Sequence, residues 1–100
     1  MIKENDIATF KLISGDEVIA KVVKINDFQG YEVMKPMGVM IAQQGFGLVP
    51  WILTADDKEP VHISNDAIAC MTKTQDRVSA EYIRQTSNIV VPPKAGLIGV

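Results

Sequence analysis

From Ala8 to Ile13, ATFKLI, apolar and polar positions alternate along the chain. Ala8, Phe10 and Leu12 fall on one side and Thr9 and Lys11 on the other, which predicts a strand with one buried face. Ser14-Gly15-Asp16-Glu17 follows. Gly15-Asp16 suits a two-residue hairpin loop, because glycine takes positive φ freely and aspartate tolerates it better than most residues. Glu17 to Ile25, EVIAKVVKI, is rich in β-branched residues and carries apolar side chains on both alternating faces. Such a strand is buried on both sides or bent into two layers. Asn26 to Gly30, NDFQG, is a turn by composition.

A third strand is predicted over Tyr31–Ile41, interrupted near Lys35-Pro36, because a proline cannot donate to a ladder and marks an edge or a bulge. Gln43-Gln44-Gly45 makes the next turn, and Phe46–Thr54, FGLVPWILT, is the fourth strand. Asp56–Pro60 reads as a solvated loop. Val61–Ile63, a turn at Ser64–Asp66, and Ala67–Lys73 complete a last strand, on which Ile68, Cys70 and Thr72 share one face. The period then changes. Gln75–Thr86 reads as a helix whose apolar stripe is Val78 and Tyr82, widened by Ile83. Thr74 is a candidate cap, in competition with Asp76 and Ser79. Asp76 near its start and Arg84 near its end suit the helix dipole. Pro92-Pro93 prevents any helix from continuing through the tail, positions 87–100.

One hundred residues make one domain with a small core. The apolar share is 47% with only 6% aromatic, which fits a compact β-rich core with apolar surface left for a partner. The formal net charge is −2 and the ten lysines and arginines are scattered. Binding driven mainly by phosphate charge is therefore not expected. Cys70 is the single cysteine, so no intrachain disulfide can form. The polar start MIKEND carries no apolar signal region, and a cytoplasmic protein is expected. Pro36–Ala55 holds no charged residue and is long enough to cross a bilayer. Two prolines, three glycines and Gln43-Gln44 cut it into pieces of strand length, so no membrane span is expected.

Five short strands and then one helix suggest a small barrel. At this point the chain resembles a known family. FKLISGDEVIAKVV, Phe10–Val23, is similar to the first half of the Sm and Sm-like fold, where a strand, a glycine turn and a strongly bent second strand open a five-stranded barrel. VHISNDAIACM, Val61–Met71, is similar to the family's short closing motif. The resemblance covers roughly residues 8–73 and is strongest to the small Sm-like proteins of phage genomes. It implies an all-β, SH3-like antiparallel barrel with a C-terminal helix over 75–86, assembled as a homo-oligomeric ring. For a phage-encoded protein, the compartment is the cytoplasm of a bacterial host.

The resemblance also implies single-stranded RNA as a partner. Asp27 matches the aspartate of the family's first motif, but Tyr31 stands where that motif has asparagine. Ser64 and Asn65 stand where the closing motif has Arg-Gly, and serine does not replace an arginine fork. The residues left to hold RNA are Asp27, Phe28, Gln29, Tyr31, Ser64 and Asn65: the aromatics stack on bases and the polar groups bond base edges. Turn chemistry and core packing explain the same residues without a ligand. Two functions therefore stand side by side, an RNA-binding or RNA-chaperone ring and a structural or adaptor ring that has lost the RNA pocket and binds protein.

The ring also has support from the residues themselves. Phe46–Thr54 is apolar and uncharged, an edge that soluble proteins usually blunt with charge. Head-to-tail pairing would cover it through Phe46, Leu48, Val49, Trp51, Ile52 and Leu53, with Ile68 and Met71 contributing from the last strand. The alternative is a strand packed under the helix within one subunit. No enzyme is expected. His62 is single and expected to point outward. Cys70, beside Ile68 and Met71, is expected to be a buried thiol acting as a small hydrophobe. Asp56, Asp57 and Glu59 lack calcium-loop spacing. Met34, Met37 and Met40 read as strand packing, and Trp51 as core or interface anchor. No metal, cofactor or small-molecule substrate is implied.

Overall fold

The computed structural model describes residues 1–87 and the two-residue strand at 97–98. The described chain is mainly β, with one helix. The elements are β1 (Ile7–Leu12), β2 (Glu17–Asn26), β3 (Gly30–Ala42), β4 (Gly45–Pro50), β5 (Val61–Ser64), β6 (Ile68–Lys73), α1 (Asp76–Thr86) and β7 (Leu97–Ile98). A 3-10 turn, Asn65–Ala67, joins β5 to β6. All ladders are antiparallel. They follow the path β6-β1-β2-β3-β4-β7, with β5 beside β3 and off that path. No ladder joins β5 to β6 among the described residues, so the hydrogen-bonded path is open.

β1 behaves as its alternation predicts. Ala8, Phe10 and Leu12 are buried in one cluster with Val18, Ala20, Val22, Val33 and Ile63. β2 serves two layers, as its doubly apolar pattern predicts. Val18, Ala20 and Val22 enter that cluster, while Ile19 faces the other way and packs with Met37, Leu48 and the helix residues Val78 and Tyr82. The helix thus covers the outer face of β2 and of the β3–β4 hairpin. Its stripe is narrower than the sequence suggests. Val78 and Tyr82 are buried, but Ile83 is 54% exposed, because it lies a further 100° around the helix from Tyr82.

Several local expectations are corrected. The β1–β2 connection is not a two-residue loop. Pairing ends at Lys11 and Glu17, the turn spans 13–16, and of its residues only Gly15 has positive φ, +96°. Ile13 leaves β1 and donates its amide to Ala67 of the 3-10 turn. The fourth strand ends at Pro50 and not at Thr54; one further bond, from the Trp51 amide to the Pro36 carbonyl at 3.1 Å, follows it. The expected last strand is two strands in different ladders, β5 on β3 and β6 on β1. Thr74 does not cap the helix. Its hydroxyl bonds that of Thr9 at 2.8 Å, and Gln75 occupies the cap position without a side-chain bond.

The interruption at Lys35-Pro36 is a bulge. Ile19 pairs with Met37 and Lys21 with Met34, so two residues of β3 stand opposite Ala20. Lys35 takes φ +50° there. The helix closes this gap. The Tyr82 hydroxyl accepts the Lys21 amide at 3.1 Å and donates toward the carbonyls of Met34 and Lys35, at 2.7 and 3.0 Å. The Lys35 ammonium donates to the Thr86 carbonyl at 2.7 Å, at the negative end of the helix.

A second bulge decides the fate of Cys70. Leu12 pairs with Ile68 but Lys11 with Cys70, which leaves Ala69 unpaired. The extra residue reverses the alternation. Ile68 and Met71 face the core, and Cys70 is exposed. The expected buried thiol, and the shared face of Ile68 and Cys70, are both overturned by this single insertion. No helix among the described residues is long and apolar enough to cross a membrane. The tail predicted over 87–100 lies outside the described residues, apart from Ser87 and β7.

Candidate binding surface at the three turns

Two turns that lie far apart in sequence meet at one end of the sheet. The β2–β3 turn is built by Asn26, whose carbonyl accepts the Gln29 amide at 3.1 Å and whose side chain accepts the Phe28 amide at 3.2 Å. The Asn26 amide group also bonds the Gln29 side chain at 3.3 Å. The second turn is Ser64–Ala67. Ser64 Oγ accepts the Asp66 amide at 3.2 Å and starts the 3-10 turn. Asn65 ties the two together. Its backbone amide donates to the Gln29 carbonyl at 3.1 Å, and its side-chain amide donates to the Asp27 carbonyl at 3.3 Å.

Gly30 makes this approach possible. It has φ +142°, and a Cβ there would lie 2.1 Å from the Ile63 carbonyl oxygen. No residue with a side chain fits between these strands.

The structure places Asp27, Phe28, Gln29, Ser64 and Asn65 on these two joined turns. Their availability differs. Phe28 is 95% exposed. Asn65 and Ser64 have polar groups committed to the turns themselves. Tyr31 is half-buried, and its ring meets Phe10 edge-on at 5.6 Å between centroids. It is a core residue on one face and borders a shallow groove of ≈ 510 Å³ on the other, with Ile25, Asp27, Met71 and Lys73.

A third turn joins the same end, and sequence reasoning missed it. Ile13, from the β1–β2 turn, bonds Ala67 at 2.8 Å and is 72% exposed. Ile13 is out of phase with Ala8, Phe10 and Leu12, and that was the available signal.

The other candidates lie elsewhere. His62 points outward, as its alternation predicts, and its Nδ1 is 2.6 Å from the Glu32 carboxylate. Asp56 accepts the Lys58 amide within its own loop. Among the described residues, no cluster of three histidine, cysteine or acidic side chains is arranged to hold a metal ion.

The residues expected at a subunit contact are also divided. Leu48 is buried with Val78 and Tyr82, and Phe46 packs on the same cluster. Trp51, Ile68 and Met71 pack against the other cluster, and Val49 is half-buried. Ile52 and Leu53 are the exposed members, at 39% and 84%. The β4 edge carries β7 at Phe46 and Gly47. Much of this strand is thus already packed under the helix and paired with the chain's own β7.

No family model matches the chain, and no curated protein matches it.

Proposed function

We propose that the protein is a non-enzymatic, Sm-like small barrel that assembles into a homo-oligomeric ring and serves as a structural or adaptor module binding other proteins. The barrel reading is supported by connectivity. Ladders link β6, β1, β2, β3 and β5 in turn, and a three-residue 3-10 turn joins β5 back to β6. The chain thereby returns on itself through a covalent link. The ring is supported by strand edges. β5 and β6 each have a ladder partner on one side only among the described residues, which suits head-to-tail pairing between copies.

The observation that carries the adaptor reading is the state of the turn cluster. The motif turns meet where the resemblance places a ligand. Yet Asn65 and Ser64 are bonded internally, Tyr31 is packed on Phe10, and the turns carry Asp27 and Asp66 but no lysine or arginine. One observation favours the second reading, an RNA-binding ring: Phe28 offers an open aromatic face beside the Gln29 amide.

Native mass spectrometry tests the ring, which is overturned by a monomer alone at micromolar concentration. Fluorescence anisotropy with uridine-rich and adenine-rich oligoribonucleotides separates the two readings. The adaptor reading predicts no saturable binding even at low salt, where charge contacts are strongest. Saturable binding weakened by about 1–3 kcal/mol in Phe28→Ala would establish base stacking and overturn it.

A further inference from the structure

Phe28 and Ile13 are large apolar side chains placed in water, at 95% and 72% exposure. They belong to different turns, but both turns hang on the same short element. Gln29 accepts the amide of Asn65, and Ile13 donates to the carbonyl of Ala67. Asn65 and Ala67 are two residues apart in a 3-10 turn that rises about 2 Å per residue, so the two turns that carry these side chains are attached side by side. The turns are rigid. The Phe28 amide is held by Asn26, the next residue by the Asn26 carbonyl, and Gly15 donates to Leu12 at 2.9 Å. A side chain on a fixed backbone loses little freedom on binding, which is what an interface anchor requires.

The three turns themselves carry charge of one sign, and the lysine that shares a groove with Asp27, Lys73, comes from β6. The segments 13–16, 26–29 and 64–67 contain Asp16, Asp27 and Asp66 and no lysine or arginine. Asp27 and Asp66 are exposed and have no ion-pair partner among the described residues. A phosphate backbone laid here would meet carboxylates. A cationic protein segment would meet complementary charge on either side of an aromatic anchor.

We propose that this end of the molecule docks a basic segment of another protein, one that offers an apolar recess to Phe28 and lysines or arginines to Asp27 and Asp66. The inference rests on the adaptor reading and names its partner's chemistry. Ile13 forms the second apolar contact, and the carboxylates set charge specificity.

The test uses the full chain, immobilised and panned against a random peptide library, with uridine-rich RNA as competitor. Phe28→Ala and the double variant Asp27→Asn, Asp66→Asn are panned in parallel. Thermal unfolding checks that each is folded, and native mass spectrometry is run on the same samples. Retained peptides should be cationic with at least one apolar residue. Their retention should fall roughly tenfold or more in Phe28→Ala, and should fall and lose salt dependence in the double variant. The proposal is overturned if no peptides are retained, if retained peptides are neutral or acidic, if Phe28→Ala leaves retention unchanged, or if the RNA displaces them. The adaptor reading itself fails separately, if the RNA binds saturably on its own or the chain is only a monomer.

Discussion

Gly30 shows how much a single position fixes. Its backbone lies in a region closed to other residues, and its Cα faces the Ile63 carbonyl too closely for any Cβ. Gly30→Ala should therefore cost about 4 kcal/mol or more, read as a large drop in the thermal midpoint, because both strain and a backbone clash act at once. Phe28→Ala is the contrasting case. A side chain 95% in water contributes little to folding, so stability should stay within about 0.5 kcal/mol of the parent. Cys70 gives a chemical check at the same scale. Its exposure predicts that a thiol reagent labels it in the native protein nearly as fast as in the denatured chain, whereas a buried thiol would be protected.

At the scale of elements, the helix and the β2–β3 bulge depend on each other through Tyr82. Removing its hydroxyl leaves the Lys21 amide and the facing carbonyls unsatisfied, so Tyr82→Phe should destabilise by about 1–3 kcal/mol in denaturant unfolding. The hydroxyl also makes stability depend on alkaline pH. Burial pushes the Tyr82 phenol from 10.0 up to about 12, against the smaller opposing pull of the Lys21 amide. The folded state therefore holds this proton more tightly than the unfolded state does. Its contribution is complete below pH 10 and is lost as pH rises from 10 to about 12. Comparing the parent with Tyr82→Phe across that range should show the parent falling more steeply. What was legible in the sequence is also decided at this scale. β1, the two-layered β2 and the Val78–Tyr82 stripe announce themselves because period and burial are local. The bulge at Ala69 does not, since nothing around it marks an extra residue, and that one insertion reverses Cys70. β5 and β6 read as one strand because their separation depends on different long-range partners.

For the whole molecule, the turn cluster was legible in its membership and not in its chemistry. The resemblance grouped Asp27, Gln29 and Asn65, and the hydrogen bonds of Asn65 join their two turns. That Asn65 and Tyr31 are occupied within the fold follows only from contacts between distant segments, as does the arrival of Ile13. The proposed subunit contact narrows in the same way, to strand edges and the exposed pair Ile52 and Leu53. Leu53→Lys should lower the assembled fraction in sedimentation while leaving the fold's circular dichroism unchanged. An unaltered assembly would place the contact elsewhere. The Tyr82 hydroxyl has a last consequence, for the order in which the chain can fold. It joins the helix to Lys21, 61 positions away, and to a bulge 47 and 48 positions away. An 11-residue helix is marginal on its own in water, so its docking must wait until β2 and β3 have formed their irregular pair. Lys21's amide proton then becomes a clock for that event: in hydrogen exchange it should open together with the helix, and not with the neighbouring ladder.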